Sequence, residues 1–118
     1  MNFIRNFIVA CQGLAVAVKE ELNMKIHIAA MLLVMALGFY FEVSQVEWLI
    51  LLIMIGLVIC TELINTAIEN LTDLVSPERQ SLAGKVKDIA AAAVLFISFI
   101  SVIVGFIIFA KYFKALFA

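Results

Sequence analysis

A chain of 118 residues in which 66% are hydrophobic and only 14% are charged is too apolar for a soluble domain, where about a quarter of the residues carry a charge. Its net charge of -1 leaves no basic surplus, so a nucleic-acid partner is excluded. One copy of so short a chain cannot enclose a large pocket, and we therefore expect a membrane protein that forms an oligomer.

The first predicted element is an amphipathic helix over residues 1–22. Apolar side chains recur along it at helical spacing, with polar side chains on the opposite side. The segment is too polar to span a bilayer, so we expect it to lie on the membrane surface with its apolar face down. Because Gln12 and Gly13 interrupt the apolar run, we do not expect it to be cleaved as a signal peptide.

Two membrane spans follow, predicted over residues 24–41 and 48–73. Tyr40 and Phe41 close the first span and Trp48 opens the second, as aromatic residues do at membrane interfaces. The short turn between the spans is polar and carries no Lys or Arg. The second helix is apolar where it begins and acidic where it ends.

A linker and a third span complete the chain. Ser76 and Pro77 have the pattern of a helix start, with Ser as N-cap and Pro in the first turn. This pattern predicts a cytoplasmic linker helix over residues 77–86. The third span is predicted over residues 87–113, because residues 89–110 carry no charge.

The distribution of Lys and Arg predicts the orientation in the membrane. Three of these cations precede the apolar run that begins at Ile26, three lie between residues 74 and 88, and the 42–47 turn has none. Cytoplasmic loops carry the excess of positive charge, so the first two groups are expected to face the cytoplasm.

A polar stripe runs along the second span. Glu62, Asn65, Glu69 and Asp73 have spacings that keep them on one face of a helix. An Asp inside a membrane helix costs about 2.5–3.5 kcal/mol on insertion scales, so intramembrane acids indicate function. Helix-end solvation explains Asp73 better, whereas the deeper Glu62 and Asn65 favour a functional role over structural hydrogen bonding.

Two further segments bring charge to the same membrane interface. Glu20 and Glu21 precede the first span, and Lys87 and Asp88 stand where the third span begins. Two carboxylates from different helices, with phosphate oxygens, are a usual way to hold Mg²⁺. A neighbouring Lys can neutralise phosphate charge, and a further buried carboxylate can act as a base. The set predicts phosphate chemistry at this interface.

Several other kinds of site are excluded by what the sequence lacks. The five glycines are too far apart for a Walker A loop or a GxGxxG loop, and the HRD and DFG motifs of protein kinases are absent. With one histidine and no paired cysteines, a zinc site or a Ser-His-Asp triad is not expected. The histidine, His27, is interpreted as an interfacial helix residue.

Two motifs carry a resemblance to a known family. Residues 62–73 match the pattern ExxNxAIExxxD and residues 87–94 match KDxAxAAV, while Gly13 and Glu21 have the family's spacing. Over almost its whole length the chain resembles the prokaryotic diacylglycerol kinase and undecaprenol kinase family. The resemblance implies one all-α membrane kinase domain over residues 1–118, with a surface helix and three transmembrane helices. It also implies a homotrimer with shared active sites in the bacterial plasma membrane, facing the cytoplasm.

The resemblance assigns roles to individual residues. It implies that Glu62 is the catalytic base, which takes the proton from the hydroxyl of the lipid substrate. It implies that Glu21 and Glu69 hold Mg²⁺ together with the phosphates of ATP. The nucleotide-binding residues that it implies are Glu21, Asn65, Glu69, Glu78, Arg79, Gln80, Lys87 and Asp88.

The choice of lipid rests on one segment. Residues 21–27 have the form ExNxxIH, which is similar to the undecaprenol branch, whereas the diacylglycerol branch has an acid at the position matching His27. Val9 and Gln12 stand where that branch has an aromatic residue. We predict phosphoryl transfer from ATP to undecaprenol, with diacylglycerol as the alternative acceptor. An oligomeric ion or proton pathway is the alternative from another class, and the apolar middle of every span disfavours it.

Overall fold

Four helices make up the part of the chain that the structure describes, which is residues 2–78 and 80–118 of a computed structural model. In chain order they are α1 (Phe3–Glu20), α2 (Leu22–Tyr40), α3 (Gln45–Val75) and α4 (Ser81–Leu116). The last three are long and apolar enough to cross a membrane. The predicted all-α fold with three spans is confirmed at this level.

The chain bends between α1 and α2 at Glu21, which ends one helix and begins the next. The backbone of Glu21 is extended, with φ −108° and ψ 119°, and its N–H donates to the carbonyl oxygen of Ala17. Ala17 and Met24, one to each side of the bend, are buried. Because α1 contacts α3 as well as α2, packing fixes the bend and holds Glu21 at the end of the bundle where these helices meet.

A tight turn joins α2 to α3. Glu42 adopts the left-handed region with φ 52°, and Ser44 and Glu47 form a capping box in which each side chain accepts from the backbone N–H of the other. Gly38 allows α2 to approach the Trp48 ring closely, since a Cβ at Gly38 would lie 2.6 Å from Trp48 Cη2. The turn and this contact together set the position of α3 against α2.

The same end of the bundle ties α4 to α3. Glu47 accepts a hydrogen bond from the Tyr112 hydroxyl and lies 2.8 Å from Lys111 Nζ. The Tyr112 ring stacks on Phe41 with centroids 5.5 Å apart. The buried apolar residues beneath these contacts are Val43, Leu51, Ile108 and Phe109. This core therefore joins α2, α3 and α4, and on α3 it lies before the polar stripe begins at Glu62.

The start of α4 differs from the sequence-based expectation. Ser76, the expected N-cap of a new helix, instead ends α3, because its N–H still donates to a carbonyl of the last α3 turn. Gln80 is extended and precedes α4. The expected linker helix at 77–86 is therefore not a separate helix: α4 begins at Ser81 and continues without a break through the expected third span at 87–113. The chain's one proline precedes α4, so α4 has no residue that lacks a backbone donor.

Candidate functional site

Glu62 is the most deeply buried charged residue in the described part of the chain. Only 1% of it is exposed, and Asn65 and Thr66 beside it are also buried. The three lie at helical spacings of three and four, which places them on one face of α3. A buried carboxylate in a membrane helix is costly, so its retention there indicates a function.

The histidine of α2 is the nearest basic side chain to this carboxylate. His27 Nε2 lies 3.7 Å from Glu62 Oε2, and both side chains are largely shielded from solvent. Among the residues that the structure describes, Glu62 Oε2 has no hydrogen-bond partner. The distance is longer than a hydrogen bond, so the oxygen is free to accept a proton from another group.

One helical turn beyond Glu62, the polar stripe continues as a hydrogen-bonded pair. The Asn65 amide Nδ2 donates to Glu69 Oε1 at 3.1 Å. The amide thereby orients the Glu69 carboxylate, whose two oxygens can still accept further bonds or bind a cation. The side chains of the stripe predicted for the second span therefore differ: Glu62 is fully buried, whereas Glu69 accepts a hydrogen bond from Asn65.

Asp73 closes the stripe near the end of α3. It pairs with Lys87 of α4, and both side chains are partly exposed, so the pair stabilises the fold little. Its consequence is positional, because it holds the Lys87 ammonium over the gap between the two helices.

A cavity of about 350 Å³ lies in that gap. Its lining residues are Asp73, Ser76, Pro77, Glu78, Gln80, Ala83, Gly84, Lys87 and Asp88. Asp88 also borders a wider groove of about 740 Å³, which Lys85 and Gln80 line. Four of the residues expected at a nucleotide are thus brought together around one opening, while Arg79 lies outside the described residues.

Glu21 reaches the site from a different element. It is half-buried at the bend between α1 and α2, and α1 contacts α3 as well as α2. Within residues 2–78 and 80–118, no group of three or more His, Cys, Asp or Glu side chains could hold a metal ion. Mg²⁺ is usually bound through one or two carboxylates plus substrate phosphates and waters, and the carboxylates of Glu21 and Glu69 are of that chemical type.

The sequence did not indicate two features of the site. His27, which the sequence predicts to be an interfacial residue, faces Glu62, and the only sequence sign of this is that it alone interrupts the apolar run of residues 26–41. The second is an apolar cavity of about 250 Å³ between α2, α3 and α4, which His27, Ser98 and Ser101 border. Hydrophobic periodicity does not reveal such a cavity, because it depends on how three helices rotate against one another.

Three helices able to span a membrane, one of which buries a carboxylate, define a small α-helical membrane protein with a candidate functional site. The chain belongs to the prokaryotic diacylglycerol kinase family, whose model matches residues 8–109. The family resemblance seen in the sequence is therefore confirmed.

Relatives with known activities support the same assignment. The chain is 39% identical to an undecaprenol kinase of Bacillus subtilis over 108 residues, which are 92% of this chain and 88% of that relative. It is 30% identical to a diacylglycerol kinase of Escherichia coli K12 over 78% of this chain and 75% of the relative. A diacylglycerol kinase of Haemophilus influenzae is also 30% identical, over 70% of each chain.

These similarities establish the class of reaction. The chain is a membrane protein and a lipid kinase, and kinase chemistry implies ATP as the phosphate donor. The predicted function is confirmed at this level, and the ion-pathway alternative receives no support from the relatives.

Proposed function

We propose that this kinase transfers the γ-phosphoryl group of ATP to the hydroxyl of undecaprenol and so forms undecaprenyl phosphate. Support comes from the higher identity to the Bacillus subtilis undecaprenol kinase than to the two diacylglycerol kinases described above. Because those two relatives are diacylglycerol kinases, diacylglycerol is the second candidate acceptor, and its product would be phosphatidic acid.

The observation that carries the proposal is the buried carboxylate of Glu62 with its unpartnered oxygen. Glu62 is the catalytic base and contacts the lipid hydroxyl. As the lipid oxygen forms a bond to the γ-phosphorus, its proton passes to Glu62. The bond from the γ-phosphorus to the bridging oxygen breaks, and its electron pair leaves with ADP. Little covalent chemistry falls to the protein, so positioning and charge stabilisation supply most of the rate.

The nucleotide lies along the opening between α3 and α4. Lys87, held by its pair with Asp73, is placed to neutralise phosphate charge. Asp88 organises the phosphate end with Asn65, and the Glu78 to Gln80 stretch, which includes Arg79, contacts the adenosine end. The support is that Glu78, Gln80, Lys87 and Asp88 line one cavity.

Glu21 and Glu69 hold Mg²⁺ in this proposal. Both are carboxylates, the ligand type that Mg²⁺ prefers, and they would hold the ion together with phosphate oxygens and water. The Asn65 amide already fixes one oxygen of Glu69, and the bend of the chain fixes the backbone of Glu21. The ion supplies neutralisation of phosphate charge when bound.

The active molecule is a homotrimer with shared sites, formed by one membrane kinase domain over residues 1–118. Large apolar side chains remain exposed along all three spanning helices, which leaves surface for lipid and for neighbouring subunits. On α1 the exposed Phe3 and Phe7 suit a helix that lies on the membrane surface. We place the protein in the bacterial plasma membrane with the site at the cytoplasmic face, as the positions of Lys and Arg favour.

Direct competition between lipids tests the choice of acceptor. Purified protein in detergent receives γ-labelled ATP, Mg²⁺ and equal mole fractions of undecaprenol and diacylglycerol, and the two phosphorylated lipids are separated. We expect the label mainly in undecaprenyl phosphate. Label mainly in phosphatidic acid would contradict the undecaprenol assignment while leaving the lipid-kinase class intact.

A further inference from the structure

We infer that His27 is a positioning residue for this reaction: it orients the Glu62 carboxylate and places the acceptor hydroxyl between that carboxylate and the apolar cavity. The inference rests on the proposed function, in which Glu62 is the base. Three observations carry it, which are the contact between the two side chains, the position of His27 at the cavity, and the geometry of the gap between them.

The contact joins His27 of α2 to Glu62 of α3. Glu62 is 1% exposed, and a buried carboxylate that lacks a partner is strongly unfavourable. His27 Nε2, at 3.7 Å from Glu62 Oε2, can donate a hydrogen bond in its cationic form or in one neutral tautomer. His27 is therefore suited to fix which way the carboxylate points.

The second observation is the position of His27 at the cavity between α2, α3 and α4. The cavity holds about 250 Å³, and apart from His27 its polar lining residues are Ser98 and Ser101. The other residues that line it, such as Val34, Leu51 and Val58, are apolar. His27 precedes Val34 on α2, and Glu62 follows Val58 on α3 by one helical turn. His27 thus lies at the end of the cavity that is nearest to Glu62.

An amphipathic molecule fits this arrangement better than a wholly polar one. A hydrocarbon chain favours the apolar lining, whereas a hydroxyl needs hydrogen-bond partners when it leaves water. The two atoms that bound the gap, His27 Nε2 and Glu62 Oε2, are 3.7 Å apart. One hydroxyl oxygen can lie about 2.8–2.9 Å from each of them, within hydrogen-bonding distance. Donation to Glu62 and acceptance from His27 would leave a lone pair of that oxygen for the attack on phosphorus.

The kinetic test compares His27→Leu with His27→Gln. Leu has no donor, while the Gln amide nitrogen can occupy nearly the position of Nε2. We expect His27→Leu to lower kcat for the lipid by about 10–100-fold, as removal of an orienting partner commonly does, with the KM for ATP unchanged. His27→Gln should retain most of the activity. Wild-type kcat in folded His27→Leu, or equal loss in both folded variants, would overturn the inference.

A spectroscopic test observes the His27 side chain itself, so it requires neither catalysis nor a substitution of His27. Since His27 is the chain's one histidine, its labelled imidazole gives a single set of nuclear magnetic resonance signals. Glu62→Gln should shift those signals. The matched variant Glu42→Gln, in the exposed turn between α2 and α3, should leave them in place. Equal spectra for wild type and Glu62→Gln would overturn the contact itself.

The two arms separate this inference from the proposed function. If wild-type protein labels no lipid while the imidazole signals respond to Glu62→Gln, the contact stands and the kinase proposal fails, and the acceptor role of His27 fails with it. If wild-type protein labels lipid while folded His27→Leu is fully active, the inference about His27 alone is overturned.

Discussion

Two adjacent acids at the bend between α1 and α2 differ in their surroundings. Glu21 is half-buried and is a Mg²⁺ ligand in the proposal above, whereas Glu20 is exposed. We expect Glu21→Gln to raise the Mg²⁺ concentration for half-maximal activity by about tenfold or more, since loss of a ligand charge weakens binding of a hard cation. Glu20→Gln is the matched control and should behave as wild type. Titration of activity with Mg²⁺ measures both, and equal curves for wild type and Glu21→Gln would remove the metal assignment.

Gly38 is a residue at which adding one carbon atom should change the stability of the protein. A Cβ there would lie 2.6 Å from Trp48 Cη2, whereas a Cβ at Gly56 would meet nothing within 4 Å. Gly38→Ala should lower the free energy of unfolding by about 1–3 kcal/mol through overpacking. Gly56→Ala should leave it unchanged or raise it by up to about 1 kcal/mol, because Ala favours helix. Unfolding by a denaturing detergent measures the difference, and equal loss in both variants would argue against the close α2–α3 approach.

At the scale of elements, the hydrogen bond between Tyr112 and Glu47 joins α4 to α3. Tyr112→Phe should lower the free energy of unfolding by about 1 kcal/mol, the usual net contribution of one hydrogen bond. Glu47 and Glu62 are separated by about 22 Å along α3, so kcat per folded molecule should not change. Tyr40→Phe, at a tyrosine that is 67% exposed, is the matched control. A loss of kcat with unchanged stability in Tyr112→Phe would contradict this purely structural role.

The same scale shows what the sequence could and could not predict. The existence of the spanning helices follows from long apolar runs, and the common face of Glu62, Asn65 and Glu69 follows from helix periodicity. The start of α4 was misjudged because Ser76 and Pro77 satisfy local rules for a helix N-terminus, while backbone hydrogen bonding continues α3 to Ser76. Contacts between helices, such as that of His27 with Glu62, depend on relative rotation, which no local pattern specifies.

At the scale of the whole molecule, the proposed trimer can be tested by mixing two inactive subunits. One carries Glu62→Gln on α3, and the other carries Lys87→Met on α4. If each site combines Glu62 of one subunit with the nucleotide opening of its neighbour, which Lys87 lines, random mixing in a closed ring restores about a quarter of the wild-type sites. Co-refolded subunits should regain that activity. A mixture as inactive as its components, with trimers present by mass, would contradict shared sites.

The most direct test of the central claim, a membrane lipid kinase with Glu62 as base, is label transfer from γ-labelled ATP to undecaprenol. Wild-type protein, Glu62→Gln and the control Glu42→Gln are compared in the same detergent, with helix content and oligomer size measured on each. We predict labelled lipid from wild type and Glu42→Gln, and a loss of about 100-fold or more in Glu62→Gln, the scale expected for a general base. Full activity of folded Glu62→Gln would contradict the account.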